Sequence, residues 1–223
     1  MTDKKKVIVV GGHGKVALLA TPLLAQEGYE VSSVIRAPEQ AEEVRAARAN
    51  PVVTDVAAMS AEEMGALFAG YDAVVWSAGA GGGAPERTYA VDRDAAIRSM
   101  QAAAMAGVKR YVMVSWVGSV PDHGVPEEEA FFAYADAKLQ ADEYLRRTDL
   151  DWTILGPSAL TSEPGAGAIQ PLAPEDDWRE KGTTASRENV AKAIVAAVGG
   201  AGVGMFLRFN DGAVPVSQAL RSE

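Results

Sequence analysis

This chain predicts an α/β fold: a doubly wound, mainly parallel sheet with helices on both faces. Two observations carry that prediction. Short β-branched apolar runs alternate with longer stretches of helical period along the whole chain. The first of these runs, Val7-Ile8-Val9-Val10, leads directly into Gly11-Gly12-His13-Gly14-Lys15-Val16-Ala17, which opens a helical stretch. Strand, glycine-rich turn and helix, in that order, begin a dinucleotide-binding unit of the Rossmann type.

The glycine pattern reads as Gly12-x-Gly14-x-x-Ala17 or as Gly11-x-x-Gly14-x-x-Ala17. Gly11 or Gly12 permits a tight turn, Gly14 lets the backbone approach a pyrophosphate, and Ala17 lets helix and strand pack closely. The helix N-terminus presents free N–H groups and a positive dipole end. The turn from Gly11 to Val16, with His13 and Lys15, is therefore the expected cofactor contact.

The remaining elements follow in order. Strands are expected at residues 6–10, 30–35, 51–53, 73–77, 110–115, 152–155 and 204–209. Helices are expected at 15–27, 39–49, 61–68, 87–106, 130–147 and 187–198, with a short terminal one at 215–220. Gly107 reads as a helix C-cap. Residues 79–85, 117–129 and 158–184 read as irregular, the last rich in Gly, Pro and charge. Loops at strand carboxyl ends line the ligand crevice of open α/β sheets, so 158–184 is the expected substrate-side loop. The whole chain, 1–223, is expected to form a single domain.

Composition narrows the function. A hydrophobic fraction of 48% supports a full core. A net charge of -9 argues against nucleic acid as a partner, because phosphate contacts need a basic surface. The chain has no cysteine, which excludes disulfides and thiolate chemistry. His13 and His123 lack metal-ligand spacing, so no metal is expected. The Lys4-Lys5-Lys6 start is followed by too short an apolar run for a signal peptide or a membrane span, so a cytoplasmic location is expected. The partner is expected to be a small-molecule substrate, and the chain a monomer or weak homodimer.

Arg36 ends the second strand, where an NAD-selective site carries Asp or Glu for the ribose 2′-hydroxyl. A guanidinium there suits a 2′-phosphate in bidentate geometry, so NADP (NADPH) is favoured over NAD.

The chain resembles the short-chain dehydrogenase/reductase superfamily, specifically its atypical NmrA-like and epimerase/dehydratase-like members. The resemblance rests on the glycine turn, Val53-Thr54-Asp55, Val75-Trp76-Ser77-Ala78-Gly79 and Val91-Asp92. It rests also on residues 107–115, Tyr134-x-x-x-Lys138 and Asp142-Glu143-Tyr144-Leu145. It implies that Asp55 meets the adenine amino group with Val56 beside the ring. It implies that Ser77, Ala78 and Gly79 wall the middle of the cofactor, and that Pro157 and Ser158 touch the nicotinamide end. The family commonly has Arg-Pro-Gly there, and this chain has Gly156-Pro157-Ser158.

The resemblance further makes Tyr134 the general acid/base and Lys138 the ribose ligand that lowers the tyrosine pKa. Four residues apart on a helix, they share a face. Ser115, with Ser119 next, is the candidate for the substrate oxygen. Asp92 stands where the superfamily has a structural Asn. Hydride transfer to or from a small carbonyl or alcohol is the implied reaction, and a non-catalytic NADP(H) sensor of the NmrA-like kind is the alternative. A sugar-nucleotide epimerase is disfavoured, because too little chain follows Pro157 for its substrate domain.

Overall fold

A computed structural model describes residues 4–81 and 84–221. Its main sheet has nine strands in the order β11-β8-β10-β6-β5-β4-β1-β2-β3. The parallel part comprises β1 (Lys6–Val10), β2 (Glu30–Ile35), β3 (Asn50–Val53), β4 (Ala73–Trp76), β5 (Arg110–Val114), β6 (Asp151–Pro157) and β10 (Met205–Asp211). From β1 the chain winds outward to β3, then returns to place β4 on the other flank of β1. That reversal leaves a crevice at the carboxyl ends of β1 and β4, where ligands of such sheets bind.

The helices that cover the sheet are α1 (Lys15–Gln26), α2 (Ala41–Ala46), α3 (Ala61–Phe68), α4 (Pro85–Thr88), α5 (Ala96–Met105), α6 (Phe132–Arg146) and α8 (Arg187–Val198). Alternate strand residues feed two cores. Val7, Val9, Val75, Val112 and Leu155 pack under α1 and α8, beside Ala17, Leu24 and Ile194. Ile8, Val10, Val74, Trp76 and Met113 pack under α3, α5 and α6, beside Phe68, Met100 and Leu145. Strands buried on both faces need continuous apolar runs, which is how these segments read. No helix among the described residues is long and apolar enough to cross a membrane.

Several segments differ from the sequence expectation. Residues 158–184 are structured: β7 (Ala159–Thr161) pairs in parallel with β9 (Thr184–Ser186) as a two-stranded sheet, β8 (Ala168–Leu172) runs antiparallel to β10, and α7 (Trp178–Lys181) lies between them. These pieces are too short to show a period, and their pairing partners lie far along the chain. β11 (Val214–Pro215) precedes α9 (Val216–Ala219) where only a helix was expected, and extends the antiparallel edge. The expected helix at 39–49 is a 3₁₀ turn, Pro38–Gln40, followed by α2, and Arg48 then takes a left-handed conformation with φ 66°. The helix expected at 87–106 starts at Pro85 and contains a π-helical stretch, Tyr89–Ala95, between α4 and α5. Gly82 and Gly83, in the expected 79–85 loop, lie outside the described residues.

Candidate active site

The crevice holds a groove of about 260 Å³. Gly11, His13 and Gly14 line it from the first turn, and Ile35 and Arg36 from the end of β2. Asp55 and Val56 follow β3, and Ser77, Ala78 and Gly79 follow β4. The sequence reading did not place Gln40, Ala80, Arg87 and Val91 at this wall, nor the strand-end residues Val10, Val34, Ile35 and Thr54.

The glycines of the turn divide the work. Gly11 has φ 81°, and a Cβ on it would come within 2.6 Å of the Ala78 backbone, so the turn can lie against β4 only without a side chain. Gly12 is a packing glycine beneath the groove, because its Cβ would stand 2.3 Å from Ser33 Cβ. Gly14 is exposed and begins α1 with no side chain capping the helix. The first N–H groups of α1 are thus left for a ligand, the arrangement that receives phosphates. Val16 faces the core and Lys15 faces solvent, so neither side chain lines the groove. His13 Nε2 lies 2.6 Å from Glu43 Oε2, tying the turn to α2. A nicotinamide dinucleotide fits these residues: a bare backbone for the diphosphate, an uncapped helix end and an apolar strip for the adenine.

A buried polar cluster stands behind the groove. Asp92, 1% exposed, sits in the π-helical stretch. Its Oδ2 accepts the Ala80 N–H at 2.9 Å, and its Oδ1 lies 3.9 Å from Lys138 Nζ. Lys138 is buried on α6 and donates to the Val114 carbonyl at 2.8 Å. Asp92 therefore joins the groove wall at Ala80 to the lysine of the Tyr134-x-x-x-Lys138 pair.

Ser115 and Ser119 both donate to Asp142 Oδ2, the second at 2.6 Å. Asp142 is fully buried, and burial raises its pKa against the opposing pull of Lys138, the two serines and Arg146. The sequence reading gave Asp142 no role. The signal was present: Tyr134, Lys138 and Asp142 recur every four residues and fall on one helix face.

Tyr134 is half-buried among aromatic rings. Phe131 lies 5.1 Å and Trp116 6.3 Å away between centroids, and Trp116 meets Trp178 of α7 at 4.8 Å. The expected lowering of its pKa is not found. Burial raises it, and the carboxylates of Asp92 and Asp142 push it further up. Lys138 directs its hydrogen bond at the Val114 carbonyl instead.

Lys138, Pro157 and Ser158 do not line the groove. Ser158 Oγ donates to Asn210 Oδ1 at 2.6 Å, and Asn210 also holds the backbone at Lys181 and Thr183. The serine at the family's glycine position is thus fastened to β10 and to the turn after α7.

Residues 11–200 match the family model described as NAD(P)H-binding. The chain belongs to this family of atypical short-chain dehydrogenase/reductase-like proteins. It is 32% identical over 220 residues to YhfK of Bacillus subtilis, an uncharacterized sugar epimerase, covering 97% of this chain and 99% of that one. Its fold superposes with a TM-score of 0.85 on a putative NAD-dependent epimerase/dehydratase from Bacillus halodurans, at 32% identity over 97% of this chain and 98% of that one. The oxidoreductase ylbE from Lactococcus lactis gives a TM-score of 0.83 at 29% identity, with 96% and 94% covered. The chain is an NAD(P)-binding protein of the oxidoreductase/epimerase-like group, and its cofactor is a nicotinamide dinucleotide.

Proposed function

We propose that the protein is an NADP(H)-dependent oxidoreductase acting on a small carbonyl or alcohol. The observation that carries the reading is Asp92, which bonds to the groove wall at Ala80 and faces Lys138. Through it, the cofactor groove and the Tyr134–Lys138 pair are one mechanical unit.

Bound NADP(H) would supply or accept the hydride. Arg36 would hold the 2′-phosphate, and the Gly11–Gly14 turn with the α1 N-terminus the diphosphate. Lys138 would orient the ribose beside Val114. Tyr134 would give its proton to the substrate oxygen, and its raised pKa keeps that proton in place at neutral pH. Ser115, turning its hydroxyl from Asp142 Oδ2, would donate a second hydrogen bond to the substrate oxygen. The positive charge of an oxidised nicotinamide beside the phenol would favour the phenolate, which is the direction alcohol oxidation needs.

A second reading, an NADP(H) sensor without turnover, draws support from Asp142. That carboxylate takes the protons of both candidate serines, while aromatic rings crowd Tyr134. One experiment separates the two: calorimetry with NADPH and NADH, run beside NADPH oxidation over a panel of small aldehydes and ketones. Turnover that falls a hundredfold or so in Tyr134→Phe supports the oxidoreductase. Tight NADPH binding with no turnover across the panel supports the sensor. Arg36→Asp should reverse or abolish the preference for NADPH, and equal affinities in the parent protein would refute the assignment of Arg36.

A further inference from the structure

The groove is electrostatically unlike the rest of the molecule. The chain carries a net charge of -9, yet the side chains lining the groove include Arg36, Arg87 and His13 against a single carboxylate, Asp55. Of the basic groups, His13 is paired with Glu43. Arg36 and Arg87 have no carboxylate within ion-pair distance among the described residues. Several guanidinium groups elsewhere are engaged: Arg93 with Asp94, Arg179 with Asp177, Arg98 with the Ala57 and Met59 carbonyls, and Arg110 with four oxygens around β6 and the end of α8. Two unengaged guanidinium groups on one groove are a receptor for an anion with more than one centre of charge.

The two arginines approach from opposite flanks. Arg36 directly follows β2, on the side where a ribose 2′-substituent falls. Arg87 lies in the last turn of α4, beyond β4, one helical turn before Val91, and Arg87 and Val91 both line the groove. Its helix is anchored to the same wall, since Asp92 holds the Ala80 N–H at 2.9 Å. The diphosphate of a dinucleotide crosses between these flanks, over the glycine turn.

We propose that Arg87 is a second phosphate-binding residue, reaching the cofactor diphosphate from the β4 side of the groove and facing the glycine turn across it. This rests on the nicotinamide-cofactor reading and adds to it a contact that the glycine motif does not encode. The diphosphate is common to NADH and NADPH, so Arg87 sets affinity for both, whereas Arg36 sets the choice between them.

The test is isothermal titration calorimetry with NADPH and with NADH on the parent protein, Arg87→Ala, Arg87→Lys and Arg36→Ala. Arg87→Ala should weaken both cofactors by the same factor, on the order of tenfold, as expected for loss of a charge-assisted hydrogen bond. Arg87→Lys should restore part of the loss, since it keeps the charge and loses the fork. The salt dependence of NADPH binding should be shallower in Arg87→Ala. Arg36→Ala should weaken NADPH alone. If Arg87→Ala leaves both affinities unchanged, or weakens only NADPH, the diphosphate assignment is overturned. A parent protein that binds neither cofactor overturns the cofactor reading itself, an outcome distinct from both. Arg87 is exposed, so circular dichroism of the variants should match the parent.

Discussion

Replacing Lys138 with Met tests the buried cluster most directly. The side chain is 3% exposed and carries one hydrogen bond, to the Val114 carbonyl at 2.8 Å. A bond from a charged donor contributes about 1.5–3 kcal/mol. Its removal also strips Asp92 of the cation 3.9 Å away, and Asp142 of the largest influence opposing its burial. Breaking a buried pair from one side costs about 3–5 kcal/mol. The Lys138–Asp92 separation is longer than a hydrogen bond, so the low end applies, and Lys138→Met should lose about 3 kcal/mol. With a urea m-value of about 2 kcal/mol/M, the unfolding midpoint should fall by about 1.5 M. NADPH affinity should fall with it, because the proposed ribose contact would be lost. The double variant Lys138→Met/Asp92→Asn should be less destabilised than the two single losses added together, by about 1–2 kcal/mol. A loss in Lys138→Met below about 1 kcal/mol, or strictly additive losses, would refute this account of the cluster.

Three further expectations concern neighbouring groups. The folded pKa of Asp142 is raised, so its favourable contribution is complete below the unfolded carboxylate value of about 3.9 and is lost as pH rises through the folded value. Asp142→Asn should therefore gain stability relative to the parent as urea titrations move from pH 4 to pH 8, and a constant difference would contradict the sign. In the glycine turn, Gly12→Ala should cost about 1–3 kcal/mol through collision with Ser33, while Gly14→Val should keep the fold and abolish NADPH binding. Melting curves paired with calorimetry distinguish the two, and the reverse pattern would undo the division of roles. Tyr134 should show no tyrosinate absorbance as pH passes 10 in the free protein, read as the difference between the parent and Tyr134→Phe, because burial raises its pKa. Ionisation of Tyr134 near pH 8 would refute that.

What could be read from the chain and what could not differ for physical reasons. The parallel strands were legible because each is buried on both faces and is spelled in unbroken apolar residues, as in Val7–Val10 and Ala73–Trp76. The groove was legible through chain-local marks: the glycines, Arg36 at a strand end, and Ser77-Ala78-Gly79 after another. Arg87 left no such mark, because its place at the groove depends on a helix that starts at Pro85, two residues earlier than expected, and then loosens into a π-helical stretch. β8 and β11 were hidden because an antiparallel edge is defined by its partners: β8 pairs with β10, which follows it by more than thirty residues of chain, and β11 pairs back onto β8. Asp142 was in plain view within a quoted motif. Its importance lies in two serines from the loop after β5, and no spacing rule joins a loop hydroxyl to a helix carboxylate.

The π-helical stretch Tyr89–Ala95 gives this site a means of adjustment by chain length. Such a stretch carries a residue in excess of a regular α-helix. Removing one residue there would let α4 and α5 join as one regular helix with every backbone bond closed. Because that stretch already absorbs the excess residue, α4 and α5 would keep nearly their present faces, so Arg87 would stay beside the groove and the packing of α5 on α3 would be untouched. The change would fall inside the stretch, on Asp92, which would lose its link to Ala80 or to Lys138. A single-codon deletion, ordinarily ruinous inside a helix, would here disconnect the groove from the buried cluster and leave a folded protein behind.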